Sequence, residues 1–301
     1  MKVLINGATG FIGSNITNHL LTHTSCELII VSRNECPDDF EGLRNLKWIQ
    51  HDLSLSPLKQ KNKIDVDIAF HMTGKTYGSE LDINSFKLPN EHTLINFLKS
   101  DINIKKLIFP SSYLVYGNVN SKNIKESNER VNLSSNYRDS KINCENYLSD
   151  FQRREGNPVI IFRMTGFIEG GGLLDYIIDR ALKNQKIKLY SKGEISRDYI
   201  SMPDFLDLAI KTIEKDFTPK THIFNIGSGQ AYTTKELSRS IIEITGSKSE
   251  LELLTKKATI EDFIFNIDRA REELKFSPNN LLDSIQKYTR YKMSKQGKLL
   301  V

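Results

Sequence analysis

The chain is most informative first in what it lacks. None of its 301 residues fall in an apolar run of the ~18 that a membrane-spanning helix requires, so no membrane partner is expected. Cysteine is sparse: Cys26, Cys36 and Cys144 are the only ones, and no two form a CxxC pair. That spacing excludes a disulfide framework and a zinc site, and no metal is expected. The formal net charge is only +5. Its Lys and Arg residues are scattered rather than clustered with aromatics, so no nucleic-acid partner is expected. The opening Met1–Ile5 apolar stretch is cut short by Gly7, which does not fit a secretory signal. A cytoplasmic enzyme is the resulting expectation. Internal repeats and low-complexity tracts are missing too.

What is present is a rhythm of short apolar runs and helical patterns, long enough in total for one sizeable core and a smaller appendage. Strands are predicted at Lys2–Ile5, Leu28–Val31, Lys47–Ile49, Val66–Phe70, Leu107–Phe109 and Val159–Phe162. Helices are predicted at Phe11–Leu21, at Leu81–Lys99 with Pro89 as a kink or break, and at Asn136–Arg154. Strands of three to five apolar residues alternating with helices imply βαβ units with both sheet faces covered. The fold class is therefore α/β, a doubly wound parallel Rossmann sheet with a smaller C-terminal substrate-binding region. The rhythm changes after Arg163, and Gly170-Gly171-Gly172 breaks the chain. Helices at Leu173–Leu182, from Pro203, at Thr234–Thr245 and at Leu281–Tyr291, with strands at Ile187–Tyr190 and Ile223–Ile226, follow. The division predicted is 1–165 for dinucleotide binding and 166–301 for substrate, interleaved with late Rossmann strands. Lys292–Val301 reads as a loosely held tail.

Between the first strand and the first helix lies Gly7-Ala8-Thr9-Gly10-Phe11-Ile12-Gly13. Glycines are needed where the backbone turns sharply, where it approaches a pyrophosphate, and where helix and strand pack closely. The helix N-terminus then offers N–H groups and a positive dipole to phosphates. A tight turn without a ligand is the alternative. The end of the second strand, where a carboxylate would hold an adenosine ribose diol, carries Ser32 and Arg33. No carboxylate is there to repel a 2′-phosphate, and a guanidinium is there to pair with one. NADP(H) is favoured over NAD(H), which stays possible. Alternatively, Ser32 is a turn cap and Arg33 a surface charge. Asp52, just past the third strand, is placed for the adenine edge or as a helix N-cap.

Tyr137-Arg138-Asp139-Ser140-Lys141 puts a phenol and an ammonium one helical turn apart on one face. The ammonium is expected to pull the phenol pKa down, so that Tyr137 can exchange a proton with a carbinol oxygen while hydride moves at the same carbon. Tyr288 and Lys292 repeat the spacing by chance in a peripheral helix. The first pair is singled out by Pro110-Ser111-Ser112 at the end of the fifth strand, the edge where ligands bind in open α/β sheets. Ser112 can orient the same substrate oxygen, or merely cap a turn.

These residues together resemble the extended short-chain dehydrogenases and reductases that act on nucleotide sugars, the epimerase/dehydratase kind. Ser111–Gly117 followed by Tyr137-x-x-x-Lys141 carries the resemblance. The glycine triplet, Asp52-Leu53, His71-Met72-Thr73-Gly74, Arg197-Asp198-Tyr199-Ile200, Phe224-Asn225-Ile226-Gly227 and Asp268–Pro278 extend it along nearly the whole chain. The resemblance implies a nicotinamide cofactor, a Ser112/Tyr137/Lys141 catalytic set and a homodimer. It adds Leu53, Met72, Thr73 and Gly74 to the cofactor side, and Ser112 and Tyr113 to the substrate side. It gives Arg197 the substrate diphosphate, with a surface salt bridge as the alternative, and Lys256 or Lys257 a second phosphate contact. In Thr73-Gly74 the chain departs from a more usual Ala pair.

Other departures bear on the reaction. The 4,6-dehydratases of that family carry Asp-Glu directly after the residue matching Ser112, and reductases that also epimerise carbons 3 and 5 carry a Cys there. Tyr113 and Leu114 supply neither. Within the resemblance this leaves hydride transfer at one carbon, carbon 4 of the sugar. The first expectation is reduction of a nucleotide-linked 4-keto-hexose with NADPH. The alternative is a 4-epimerase with tightly held NAD. A non-catalytic dinucleotide-binding protein on the same fold is the remote third, and the intact Ser112/Tyr137/Lys141 set counts against it.

Overall fold

The computed structural model describes residues 1–75, 84–118, 121–131, 135–258 and 262–295. Its central sheet has seven strands: β1 (Lys2–Asn6), β2 (Glu27–Ser32), β3 (Leu46–Gln50), β4 (Ile68–His71), β5 (Leu107–Ser112), β6 (Val159–Met164) and β7 (Thr221–Ile226). Their spatial order is β7-β6-β5-β4-β1-β2-β3. The pairs β1–β2, β1–β4, β2–β3 and β4–β5 are parallel, with Val3 opposite both Leu28 and Ile68. This is the doubly wound Rossmann sheet expected from the sequence. The inner strands β1, β2, β4 and β6 are near-continuous buried apolar runs because helices cover both faces, while the edge strand β3 has no buried residue. Strand order reverses at β1, which puts a crevice beyond the carboxyl ends of β1 and β4.

The helices are α1 (Phe11–His23), α2 (Thr93–Leu98), α3 (Asn136–Glu155), α4 (Leu173–Leu182), α5 (Met202–Glu214), α6 (Thr234–Thr245), α7 (Asp268–Leu274) and α8 (Leu281–Lys295). In α3, Tyr137, Lys141, Cys144, Leu148 and Phe151 form the buried stripe, a spacing of three and four residues that keeps them on one face. The Ser135 hydroxyl opens the helix by accepting from Arg138 N–H, and Gly156 closes it in the left-handed region at φ 73°. Leu148 and Phe151 pack with Leu4, Val31, Phe97, Phe109 and Ile161 in one core.

The chain divides into two compact units. The first holds residues 1–117, 132–163 and 209–224, and the second 118–131, 164–208 and 225–301. The second has its own core of Ile168, Leu174, Ile178, Leu189, Leu237, Ile241 and Ile285. There α6 begins in a capping box: the Thr233 hydroxyl accepts from Glu236 N–H at 3.1 Å, and the Glu236 carboxylate accepts from Thr233 N–H at 2.7 Å.

Several elements differ from the sequence reading. The run read as one strand, Val66–Phe70, is two. Ile64–Val66 pairs with Ile102–Ile104, while β4 joins the central sheet. Asp67 makes the break, because its carboxylate accepts from Lys2 N–H at 2.8 Å and from Lys105 Nζ at 2.8 Å. The strand from Ile187 ends at Leu189, since Ser191 and Lys192 adopt left-handed conformations. Within the predicted helix Leu81–Lys99, Asn84–Phe86 and α2 are joined by a wide π turn over Lys87–His92 that contains Pro89. A π turn absorbs the N–H that proline lacks. Residues 81–83 lie outside the described ones. Residues 292–295, read as part of a loose tail, belong to α8, which runs to Lys295, and Lys292 is ion-paired to Asp175 and Asp179; residues 296–301 of that reading lie outside the described ones. A four-stranded sheet of Ser121–Ile124, Ser196–Arg197, Tyr232–Thr233 and Phe263–Phe265 has no counterpart in the sequence reading.

Candidate active site

At the crevice, Gly7 has φ +87°, and a Cβ there would lie 2.6 Å from the backbone nitrogen of Thr73. A Cβ on Gly13 would lie 2.1 Å from the Gly7 carbonyl oxygen. Both glycines are therefore demanded by the protein's own backbone. Gly10 is not: a Cβ there meets only Gly7 O, at 3.4 Å, and Gly10 is exposed together with Thr9 and Phe11. Gly10 caps α1 without a side-chain bond, and no carboxylate stands in the first turn. An open helix N-terminus with space beside its middle glycine fits a dinucleotide pyrophosphate. Ile12 lies half-buried in that first turn. The Asn6 amide ties the ends of β1 and β4 together through His71 Nδ1 at 3.4 Å and the Thr73 hydroxyl.

At the end of β2, Ser32 is buried and its hydroxyl accepts from Asn34 N–H at 3.1 Å. Arg33 is exposed. The Asn34 amide reaches Thr9 Oγ1 at 3.4 Å, which links this turn to the glycine loop. Asp52 Oδ1 accepts from Ser54 N–H at 2.8 Å. Hydrogen bonding from Ser54 and, more weakly, the charges of Arg33 and His51 hold its carboxyl below the usual range despite burial. Leu53 is buried, and Met72 and Thr73 are half-buried just beyond β4.

The chemical end rests on β5 and α3. Ser112, Tyr137 and Lys141 are all buried. The Ser112 hydroxyl accepts from Leu114 N–H at 3.2 Å, opening the 3-10 turn Tyr113–Tyr116, and it hydrogen-bonds the Tyr137 phenol. Tyr113 is half-buried in that turn. Lys141 Nζ donates to the Pro110 carbonyl at 2.9 Å and lies 4.7 Å from the Phe109 ring centroid and 5.9 Å from that of Tyr137. A Cβ on Gly74 would come within 3.8 Å of Lys141 Nζ and 3.1 Å of Asn90 Oδ1. The site is that tightly drawn.

One expectation is corrected here. The Tyr137 phenol is not pulled down. Burial pushes it up to about 12 against the opposing hydrogen bond from Ser112. Burial likewise lowers the Lys141 ammonium from its ordinary value, with Cys144 and Glu145 opposing. Desolvation disfavours each charged form and is the largest influence on both. His71, fully buried against Phe97 and Phe109, is lowered to about 3 by burial and by the Lys141 charge. It is a neutral packing group, not a titrating one.

Asn90 was missed in the sequence. Its buried amide accepts from Lys75 N–H at 2.7 Å and donates to Ser140 Oγ at 2.9 Å, and Ser140 in turn donates to the Tyr137 carbonyl at 2.7 Å. The available signal was a polar residue after Pro89 inside a helical run, where Asn earns its place only through side-chain bonds.

In the second unit, Arg197 lies half-buried on the strand Ser196–Arg197, paired with Tyr232–Thr233. Asp198 beside it is buried and accepts from Ser228 N–H and Oγ, Gly229 N–H and Phe265 N–H. Lys256 is exposed, with Nζ 5.9 Å from the Tyr190 ring centroid. Tyr288 donates to Asp175 Oδ1 at 2.8 Å, and Lys292 Nζ contacts the same oxygen at 2.7 Å. Among the described residues no cluster of three or more His, Cys, Asp or Glu could hold a metal ion, and no helix is long and apolar enough to cross a membrane.

The NAD dependent epimerase/dehydratase family matches this chain over residues 3–227. The chain belongs to that family. Among its relatives, a putative UDP-glucose 4-epimerase of Methanocaldococcus jannaschii is 26% identical over 266 residues, 82% of this chain and 84% of that protein. UDP-glucuronic acid decarboxylase 5 of Arabidopsis thaliana is 23% identical over 279 residues, 84% of this chain and 77% of that one. The UDP-N-acetylglucosamine 4-epimerase of Methanobrevibacter ruminantium, solved with UDP-N-acetylmuramic acid, superposes with a TM-score of 0.82 at 23% identity, covering 98% of each chain. The UDP-glucuronic acid 4-epimerase of Bacillus cereus, solved with NAD, has a TM-score of 0.82 at 19% identity, covering 100% of this chain and 99% of that one. At such identities the structures establish the Rossmann fold.

Proposed function

We propose that the protein is a nicotinamide-dependent oxidoreductase of a nucleotide-linked sugar, and that it reduces a 4-keto-hexose at carbon 4 with NADPH. The single observation that carries the reading is the buried Ser112–Tyr137–Lys141 set at the carboxyl edge of the sheet, beside the glycine cradle. A reduced nicotinamide, when bound, supplies the hydride. Tyr137 gives its phenolic proton to the carbonyl oxygen, and Ser112 orients that oxygen. Lys141 stabilises the phenolate that remains. Burial raises the phenol to about 12, so Tyr137 carries its proton at neutral pH before the carbonyl oxygen arrives. Arg33 pairs with a 2′-phosphate, and Ser32 leaves no carboxylate to oppose it. The cofactor contacts assigned to Gly7, Thr9, Gly10, Phe11, Ile12, Gly13, Asp52, Leu53, Met72, Thr73 and Gly74, and the phosphate contacts of Arg197 and Lys256, belong to the same proposal.

A second reading, 4-epimerisation with retained NAD, is favoured by the names of the relatives, several of which are 4-epimerases. The two separate on cofactor economy. A reductase releases its cofactor each cycle, so the purified protein should carry little NAD and should oxidise NADPH when given a nucleotide-linked 4-keto-6-deoxyhexose. Stoichiometric bound NAD, with interconversion of two hexose epimers and no NADPH use, would establish the epimerase instead. Mass spectrometry of small molecules released from the protein, beside absorbance of the reduced nicotinamide, makes the distinction.

A further inference from the structure

Behind Ser112 the fold buries a charge pair that the proposed reaction leaves unused. Glu145 stands one helical turn after Lys141 on α3, and Arg163 lies on β6, with side chains only 3% and 5% exposed. Arg163 Nε and Nη2 donate to the two carboxylate oxygens of Glu145 at 3.1 and 2.8 Å. The Ser111 hydroxyl donates to Glu145 Oε1 at 2.6 Å. The Arg163 guanidinium lies 4.7 Å from the centroid of the Tyr116 ring and also hydrogen-bonds that residue. The pair thus reaches the strand end that carries Ser112, the turn that follows it, and the helix that carries Tyr137 and Lys141.

A buried ion pair is a poor source of stability, because the desolvation of two charges consumes most of their attraction, and apolar side chains of similar volume often serve as well. What apolar side chains could not do here is hold the Ser111 hydroxyl or set a negative charge near Lys141. We propose that Glu145 and Arg163 are the positioning pair of the catalytic set: they fix the β5 end that presents Ser112 and give the Lys141 ammonium a compensating carboxylate. The proposal rests on the reading of Ser112, Tyr137 and Lys141 as the reacting groups. Among the described residues, the groups that face Lys141 are Tyr137, Cys144 and Glu145 on α3, His71 on β4 and the Pro110 carbonyl on β5. Among them Glu145 is the carboxylate.

The test replaces the pair with apolar side chains of similar size, Glu145→Met with Arg163→Met, and reads three quantities. The thermal midpoint should stay near or above that of the wild type. Turnover should fall about tenfold or more, with the KM for the nucleotide sugar changed less than about threefold. The Lys141 Nζ titration, followed by NMR on 15N-lysine protein and assigned with Lys141→Met, should move down, because the Glu145 charge that raises it is gone. A folded double variant with wild-type turnover and an unmoved Lys141 overturns the proposal. Should that variant not fold, Ser111→Ala decides. It removes the hydroxyl and keeps both charges, so turnover should fall several-fold with Lys141 unmoved, and wild-type turnover overturns the proposal. The Lys141 titration needs no substrate and so reads the pair independently of the reaction. Tyr137→Phe, measured in parallel, reads the site. If it keeps turnover, the catalytic reading fails and takes the positioning role with it. If it is inactive beside a fully active double variant, only the positioning role fails.

Discussion

Two Tyr-x-x-x-Lys pairs occur in this chain, and their surroundings divide them. Tyr137 and Lys141 sit on α3 with a serine hydroxyl and a proline carbonyl as their polar neighbours. Tyr288 and Lys292 sit on α8, where both donate to Asp175 Oδ1 and Lys292 also meets Asp179. The first pair is buried, its phenol bonded to the Ser112 hydroxyl and its ammonium to the Pro110 carbonyl. The second is a surface-edge clasp that ties α8 to α4, its phenol held protonated by burial and by the hydrogen bond to Asp175. Identical spacing therefore supports two different jobs, the proposed proton transfer in one unit and fastening in the other. The difference lies in what the neighbouring elements bring to the two side chains.

The largest expected effect breaks the comparison if it fails. Tyr137→Phe removes the proton donor and keeps the ring, so turnover should drop at least ~100-fold, with NADP(H) affinity near wild type by titration. Arg33→Ala extends the contrast to the cofactor end of the same unit. It should weaken NADPH binding about tenfold or more, the loss of one charge-assisted contact of ~1.5–3 kcal/mol, and leave NADH almost unchanged. Equal loss for both cofactors would remove the 2′-phosphate assignment. On the fastening side, Tyr288→Phe should leave turnover within about twofold of wild type and lower stability in urea by roughly 1 kcal/mol.

The smallest effect is a pH signature of the clasp. Burial pushes the Asp175 carboxyl up, but hydrogen bonds from Lys292, Gly171 and Tyr288 more than offset it, so the net shift is downward. A carboxyl lowered in the folded state contributes stability above its unfolded pKa, near ~4, and loses it as the pH falls through the folded value. The stability gap between wild type and Lys292→Met should therefore be about 1 kcal/mol at neutral pH and should narrow below about pH 4. A gap that is flat with pH would mean that the clasp does not depend on the Asp175 charge.

The central sheet was legible because its strands are buried on both faces, so Val3–Ile5, Leu28–Val31 and Val159–Phe162 are unbroken apolar runs. The four-stranded sheet of the second unit was not. Pieces such as Ser196–Arg197 and Tyr232–Thr233 are two residues long, too short for any periodicity. Asp67 split a run that looked continuous because its partners, Lys2 and Lys105, are distant in sequence. In the candidate site, Gly7 and Gly13 could be read from local backbone need, and Tyr137 with Lys141 from helical spacing beside the strand-end Ser112. Asn90 left only the faint signal of a polar residue inside a helical run, and the Glu145–Arg163 pair left none, since their meaning comes from bonds to Ser140, Lys75 and Ser111 that only the fold creates. The direction of the Tyr137 shift was misjudged for a related reason: the sequence shows the neighbouring lysine but not the depth of burial.

The central claim is that hydride passes from a nicotinamide to carbon 4 of a nucleotide-linked sugar while Tyr137 supplies the proton. NADPH carrying deuterium at carbon 4 of the nicotinamide, on the face used by the enzyme, tests it directly with a nucleotide-linked 4-keto-6-deoxyhexose as substrate. The expected result is one deuterium at carbon 4 of the product sugar for each NADPH oxidised, and none above background with Tyr137→Phe. No label in the sugar and NADPH left unchanged, beside interconversion of the two carbon-4 epimers of a plain nucleotide-linked hexose without NADPH use, would contradict the account.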